Sequence, residues 1–136
     1  MGYAFYSFLI LIGENSDASL KKLRTELDDF YKNDERPVKL LLSETTFTLC
    51  VYDWKLYVKY NNEPHVVKES MKLAESFAMD KPQKSAISAC RARFEMSADP
   101  DINMDYFNDS LFVQEKIENF KNVYVFDSNA GSFINI

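Results

Sequence analysis

The side chains most capable of chemistry in this sequence are the carboxylates of residues 97–109, the segment SADPDINMDYFND. Residues with oxygen-bearing side chains alternate there as ligands do in an EF-hand calcium loop: Asp99, Asp101, Asn103 and Asp105. The position that needs glycine for a sharp turn holds Met104, and the position of the bidentate glutamate holds Ser110. We therefore expect calcium to bind weakly or not at all, and we predict no metal site.

The same acids also precede an expected helix, residues 104–120. Asp101 or Asn103 could cap this helix, and Asp105 would lie in its first turn, where a negative charge contributes about 0.3–1 kcal/mol. Capping uses one or two carboxylates. The others are then either solvated surface or a surface that binds something positive.

Aromatic and apolar residues lie among these acids, as they do in protein-binding hot spots. Two sets of apolar residues fall on different faces of the expected helix: Tyr106, Val113, Ile117 and Phe120 form one, and Met104, Phe107 and Leu111 the other. One set must pack on the sheet, and the other on a loop, a second subunit or a partner. We predict a surface for a basic protein partner, composed of Asp99, Asp101, Asp105, Tyr106 and Asp109. The rim of a hydrophobic core has the same composition, so the sequence leaves both interpretations open.

Two arginines suggest an alternative site. Arg91 and Arg93 fall on one face of an expected strand, where two guanidinium groups could hold an anion. Cross-strand pairing with acids such as Asp99 or Asp127 would instead make them structural. The alternative function is thus a small-ligand-binding module or an enzyme that uses Arg91, Arg93 and the carboxylates of residues 99–109.

The sequence is poor in the residues that other kinds of catalysis require. The three glycines are far apart in sequence, which excludes a glycine-rich phosphate loop. His65 is the single histidine, so a zinc site or a nucleophile–histidine pair would depend on it. Cys50 and Cys90 are expected to be reduced and not bonded to each other. We predict no catalytic residue and no cofactor, so the sequence favours a binding protein over the enzyme alternative.

Hydrophobic periodicity predicts one domain, residues 1–136, of the α+β class. Helices are expected at 16–32, 64–79 and 104–120. Strands are expected at 3–12, in a three-stranded meander over 38–60, and at 86–96, 122–126 and 132–136. The order β-α-β-β-β-α-β-α-β-β indicates a mixed or mostly antiparallel sheet. Its β-α-β-β-α-β portion resembles a ferredoxin-like split unit with additions, a likeness of fold that implies no activity.

Charge narrows the class of partner. The formal net charge is −5, with a sequence pI near 4.9, which disfavours nucleic acid and anionic membranes. The apolar run YAFYSFLILI is too short to cross a bilayer and has no basic leader, so we expect a cytoplasmic protein.

We predict an acidic intracellular protein-binding domain, for example an immunity protein that neutralises a basic toxin such as a nuclease.

Overall fold

A seven-stranded antiparallel sheet organises residues 5–136, the part of the chain that the computed structural model describes. The strands are β1 (Phe5–Ile12), β2 (Val38–Leu42), β3 (Thr46–Val51), β4 (Trp54–Asn61), β5 (Ala92–Ala98), β6 (Val123–Asp127) and β7 (Ser132–Phe133). The helices are α1 (Leu20–Tyr31), α2 (Pro64–Phe77), α3 (Lys84–Ser88) and α4 (Phe107–Glu118). The predicted α+β class and the meander β2-β3-β4 are confirmed.

The strand order is β2-β3-β4-β5-β1-β6-β7, and every pairing is antiparallel. Strand β5 lies between β1 and β4, and β1 lies between β5 and β6. Because α1 comes between β1 and β4 in the chain, and α4 between β5 and β6, these four strands form two interleaved split β-α-β units. Strands β2, β3 and β7 are additions to this arrangement.

Helices cover both faces of the sheet, but to different extents. On the first face, α1 and α4 pack over a core that includes Phe47, Leu49, Leu56, Val58 and Phe94, all with 0% exposure. Each such side chain contributes about 1.5–3 kcal/mol by leaving water. On the second face, α2 and α3 cover a smaller core around Leu11 and Phe126. The meander extends beyond these two helices, and its second-face residues Lys39, Leu41 and Lys55 are exposed.

Several predicted boundaries are shifted. Helix α1 begins at Leu20 rather than at residue 16, because the Ser19 hydroxyl caps it by accepting a hydrogen bond from the Lys22 amide. The helix predicted over 64–79 ends at Phe77. The last strand is confined to Ser132–Phe133. Residues 3 and 4 of the first predicted strand lie outside the described residues.

The strand predicted over 86–96 is wrong in its first half. Residues Lys84–Ser88 form the short helix α3, and the strand is Ala92–Ala98. Ile87 and Cys90 lie three residues apart, and both pack into the second core. Residues at this spacing lie on the same face of a helix but on opposite faces of a strand. Cys90 Sγ also donates to the Ala86 carbonyl at 3.3 Å, as a residue one turn later can.

No helix within residues 5–136 combines the length and the apolar character that crossing a membrane would require. The two cysteines are buried and are not bonded to each other, as predicted. Burial raises the pKa of the Cys90 thiol to about 12. The thiol is therefore protonated at neutral pH, and Cys90 serves as a small core residue.

Candidate protein-binding groove

Asp109 is a buried structural carboxylate. It is 2% exposed and lies in the first turn of α4. Its Oδ1 accepts the Tyr31 hydroxyl at 2.6 Å, and its two oxygens accept Arg36 Nη1 and Nη2, each at 2.9 Å. Burial, followed by the hydrogen bond to Asp109, raises the pKa of Tyr31. Hydrogen bonds to Asp34 and then Asp109 raise the pKa of Arg36. Asp109 thus ties α4 to α1 and to the chain that enters β2.

Asp101 is also buried, with 5% exposure. Its Oδ1 accepts the Asp105 amide at 3.0 Å, and its Oδ2 accepts the Tyr106 amide at 2.9 Å and the Tyr6 hydroxyl at 2.6 Å. Asp101 therefore holds the turn that precedes α4, but the predicted helix cap is wrong. The helix begins at Phe107 rather than at residue 104, its N-cap is Tyr106, and no side chain caps it. Asp105 accordingly lies before the helix and not in its first turn.

Asp99 and Tyr106 lie at the edge of the first core. Asp99 Oδ1 accepts the Tyr57 hydroxyl, and its carbonyl accepts the indole N–H of Trp54, both at 3.0 Å. The Tyr106 ring stacks on the Trp54 ring with centroids 4.7 Å apart and planes 10° apart. Both residues are partly exposed. They are anchored to the meander from one side and accessible from the other.

The structure therefore leaves only some residues of the predicted partner surface accessible to a partner. Asp101 and Asp109 cannot contribute to a surface, because their carboxylates are buried and already accept hydrogen bonds. Asp99 and Tyr106 contribute partly, and Asp105 is exposed. Partner binding by this region stays a prediction, now restricted to those three residues and their neighbours.

An apolar groove beside these acids was not predicted as such. It encloses about 660 Å³ between the start of β1, the turn before α4 and the β6–β7 turn. Apolar side chains form much of its lining: Phe5, Phe8, Ile102, Met104 and Phe107. Ile102 is 84% exposed and Met104 59% exposed, and exposed apolar residues that share one surface are typical of interaction sites. Asp127 and Asn129 lie on its polar side.

Two strained residues line this groove. Tyr6 has φ +50° and Met104 has φ +58°, in the left-handed region that costs a side-chain-bearing residue about 1–3 kcal/mol. Tyr6 lies at an irregularity in the β1–β5 register between Phe5 and Phe8. Asp101 supports both, because its carboxylate accepts from Tyr6 and its carbonyl accepts the Met104 amide at 3.0 Å. Such strain is concentrated at binding sites, where the surrounding structure holds it.

The alternative site based on Arg91 and Arg93 is not assembled. Arg93 lies near the start of β5, whereas Asp99 follows its end, a separation of about 20 Å along an extended strand. Arg93 is buried, and it pairs with Glu95 at 2.8 Å and with Glu69 on α2 at 2.9 Å, rather than with Asp99 or Asp127. Its Nη1 makes no hydrogen bond, although it lies 2.9 Å from Glu69 Oε1.

The Arg93 cluster attaches α2 to the sheet. Burial raises the pKa of Glu95, but hydrogen bonds from Asn61 and Arg93 outweigh this effect, so that the pKa is lowered overall. His65 Nε2 is 3.7 Å from Glu69 and is about half exposed. In the described part of the chain, no three His, Cys, Asp or Glu side chains are grouped closely enough to hold a metal ion.

The sequence matches no protein-family model, and neither a curated protein nor a solved structure is significantly similar to it. The groove and its surroundings are therefore the features that bear on function.

Proposed function

We propose that this protein is a protein-binding domain whose apolar groove accepts an apolar side chain from a basic surface of its partner. The observation that carries the proposal is the exposure of Ile102, Met104 and Phe107 around one concave surface. Side chains that fill such pockets usually supply most of the binding energy of an interface. The left-handed backbone at Met104 supports the same conclusion, because it holds an apolar side chain at the surface at a cost in stability.

The charge around the groove favours a basic partner. Asp105 is exposed next to Met104 in the sequence, and Asp127, which lines the groove, is partly exposed. These carboxylates, together with the net charge of −5, attract a basic surface during encounter and repel an acidic one. The groove then supplies the contacts that keep the partner bound.

The more specific form of this proposal is an immunity protein that neutralises a basic toxin, such as a nuclease, in the cytoplasm. An inhibitor of this class needs rapid association, which opposite charges provide. A toxin-like domain encoded immediately upstream would support this form, and its purified product would be the partner to test. A metabolic operon at that place would contradict it.

A defined peptide tests the general proposal without a known partner. The probe is a peptide of alternating lysine and leucine, compared with its glutamate–leucine counterpart by fluorescence anisotropy. We expect only the lysine peptide to bind. Asp105→Lys should weaken its binding far more than Glu26→Lys, which makes the same change in net charge. Glu26 lies beside Asn119, at the end of α4 opposite the groove, about 18 Å away along the helix.

A second variant separates binding from stability. Met104→Gly should leave the protein as stable as before or about 1 kcal/mol more stable, because glycine adopts the left-handed conformation without strain. It should nevertheless weaken peptide binding by about tenfold, since it removes an apolar wall of the groove. Met79→Ala is the control, because Met79 is 64% exposed outside the groove lining. Equal effects of the two variants on binding would contradict the proposal.

A further inference from the structure

Among residues 5–136, strand β2 forms one edge of the sheet and pairs with a single neighbour, β3. It reads VKLLL, and its side chains are unusually apolar for an edge: Leu41 is 52% exposed and Leu42 36% exposed. The opposite edge is the two-residue strand β7. Natural proteins generally protect long edges, because unpaired backbone groups there recruit another strand.

The hydrogen-bond register shows which backbone groups face outward. The Tyr52 amide donates to the Pro37 carbonyl, and the Ser43 amide donates to the Thr46 carbonyl. Since hydrogen-bonded pairs alternate along an antiparallel ladder, Lys39 and Leu41 direct their backbone groups inward to β3. The N–H and C=O groups of the other three residues point away from the sheet: Val38, Leu40 and Leu42.

We propose that a second copy of this chain adds its own β2 to this edge, in antiparallel orientation about a two-fold axis at Leu40. Leu40 then pairs with Leu40 of the second copy, and Val38 pairs with Leu42, so that all three outward residues of each copy exchange backbone hydrogen bonds. The result is one continuous sheet across the dimer. This inference is independent of the groove, which is lined by the start of β1 and the end of β6; strands β3, β4 and β5 lie between β2 and β1.

The sequence of β2 is complementary to itself in this register alone. Apolar residues face apolar residues on the first face, and on the second face Lys39 lies opposite Leu41 of the other copy. A shift that centres the axis on Lys39 would oppose two ammonium groups, which is unfavourable. A shift to Leu41 would leave the outward groups of Val38 unpaired. Beside the edge, α1 contributes Asp28 and Lys32, so charges of both signs are available to the second copy.

Sedimentation equilibrium of charge variants at position 41 tests this register. In the dimer, Leu41→Lys puts two lysines opposite each other at each of two symmetric places, and should weaken association by about tenfold. Leu41→Glu puts a glutamate opposite Lys39 and should preserve it or strengthen it. The double variant Lys39→Glu/Leu41→Lys puts a glutamate at position 39 opposite each lysine at position 41, and should restore dimerisation. Both positions are exposed, and far-ultraviolet circular dichroism of each variant is the check that it folds.

The wild-type protein should sediment as two copies of the 15.8 kDa chain. A monomer at all concentrations up to about 1 mM would overturn the proposal. Equal weakening by Leu41→Lys and Leu41→Glu, or no rescue in the double variant, would overturn it as well, because either result excludes Lys39 as the residue opposite position 41.

Discussion

The carboxylate of Asp109 is expected to stabilise the fold, whereas that of Asp105, four residues earlier, is not. Asp109 accepts hydrogen bonds from Tyr31 and from both terminal nitrogens of Arg36. In Asp109→Ala, the Tyr31 hydroxyl stays buried without this acceptor, at a cost of about 1–3 kcal/mol. Arg36 loses less, because its side chain is 31% exposed and it keeps Asp34 at 2.8 Å. Together these losses predict a decrease of about 3 kcal/mol in the free energy of unfolding.

Equilibrium unfolding in urea, extrapolated to water, measures this decrease. Asp109→Asn should cost less than Asp109→Ala, because the amide oxygen can still accept the Tyr31 hydroxyl. Asp105→Ala is the matched control and should change the free energy of unfolding by less than about 0.5 kcal/mol, as exposed substitutions usually do. A loss below about 1 kcal/mol for Asp109→Ala, or similar losses for Asp109→Ala and Asp105→Ala, would refute the assignment of Asp109 as a structural carboxylate.

Two further predictions concern buried groups whose pKa is shifted. Because burial and the Asp109 contact raise the pKa of Tyr31 above its ordinary value of 10.0, its contribution to stability is complete below pH 10 and is lost as the pH rises towards the folded-state pKa. The free energy of unfolding should therefore fall above pH 10 by about 1.4 kcal/mol per pH unit more in the wild-type protein than in Tyr31→Phe; parallel pH profiles would contradict this. The raised pKa of Cys90 predicts that iodoacetamide at pH 8 labels Cys90 more than about tenfold more slowly in the native protein than in urea, as measured by peptide mass spectrometry, and equal rates would exclude a buried thiol.

The sequence predicted correctly those elements in which apolar side chains recur at the regular spacing of a helix or a strand. Leu20, Leu23 and Leu27 recur at helical spacing and are buried in α1, and alternation in the meander placed Phe47 and Leu49 in the core. The segment that became α3 reads KSAIS, and its lysine and alanine favour a helix over a strand. The strand was predicted from an apparent period of two over residues 86–96, which the helical packing of Ile87 into the second core contradicts.

The roles of the acids depended on distant residues. Asp101 is satisfied by Tyr6, which is 95 residues away in sequence, and Asp109 by Tyr31 and Arg36, at separations of 78 and 73 residues. Periodicity carries no information on such contacts, so buried and exposed carboxylates could not be separated. The groove left a partial signal, since the sequence predicted two apolar faces on the expected helix, and the face with Met104 and Phe107 lines the groove. The pattern could not show which of the two faces packs on the sheet.

The central claim is that the apolar groove beside Asp105 is the binding surface. Its most direct test is the map of amide chemical-shift changes when the ¹⁵N-labelled protein is titrated with the lysine–leucine peptide. We predict that the largest changes occur in residues 101–107, with smaller ones in residues 5–8 and 127–130, and that the glutamate–leucine peptide produces none of them. Changes confined to other surfaces, or the same changes with both peptides, would contradict this account of the protein.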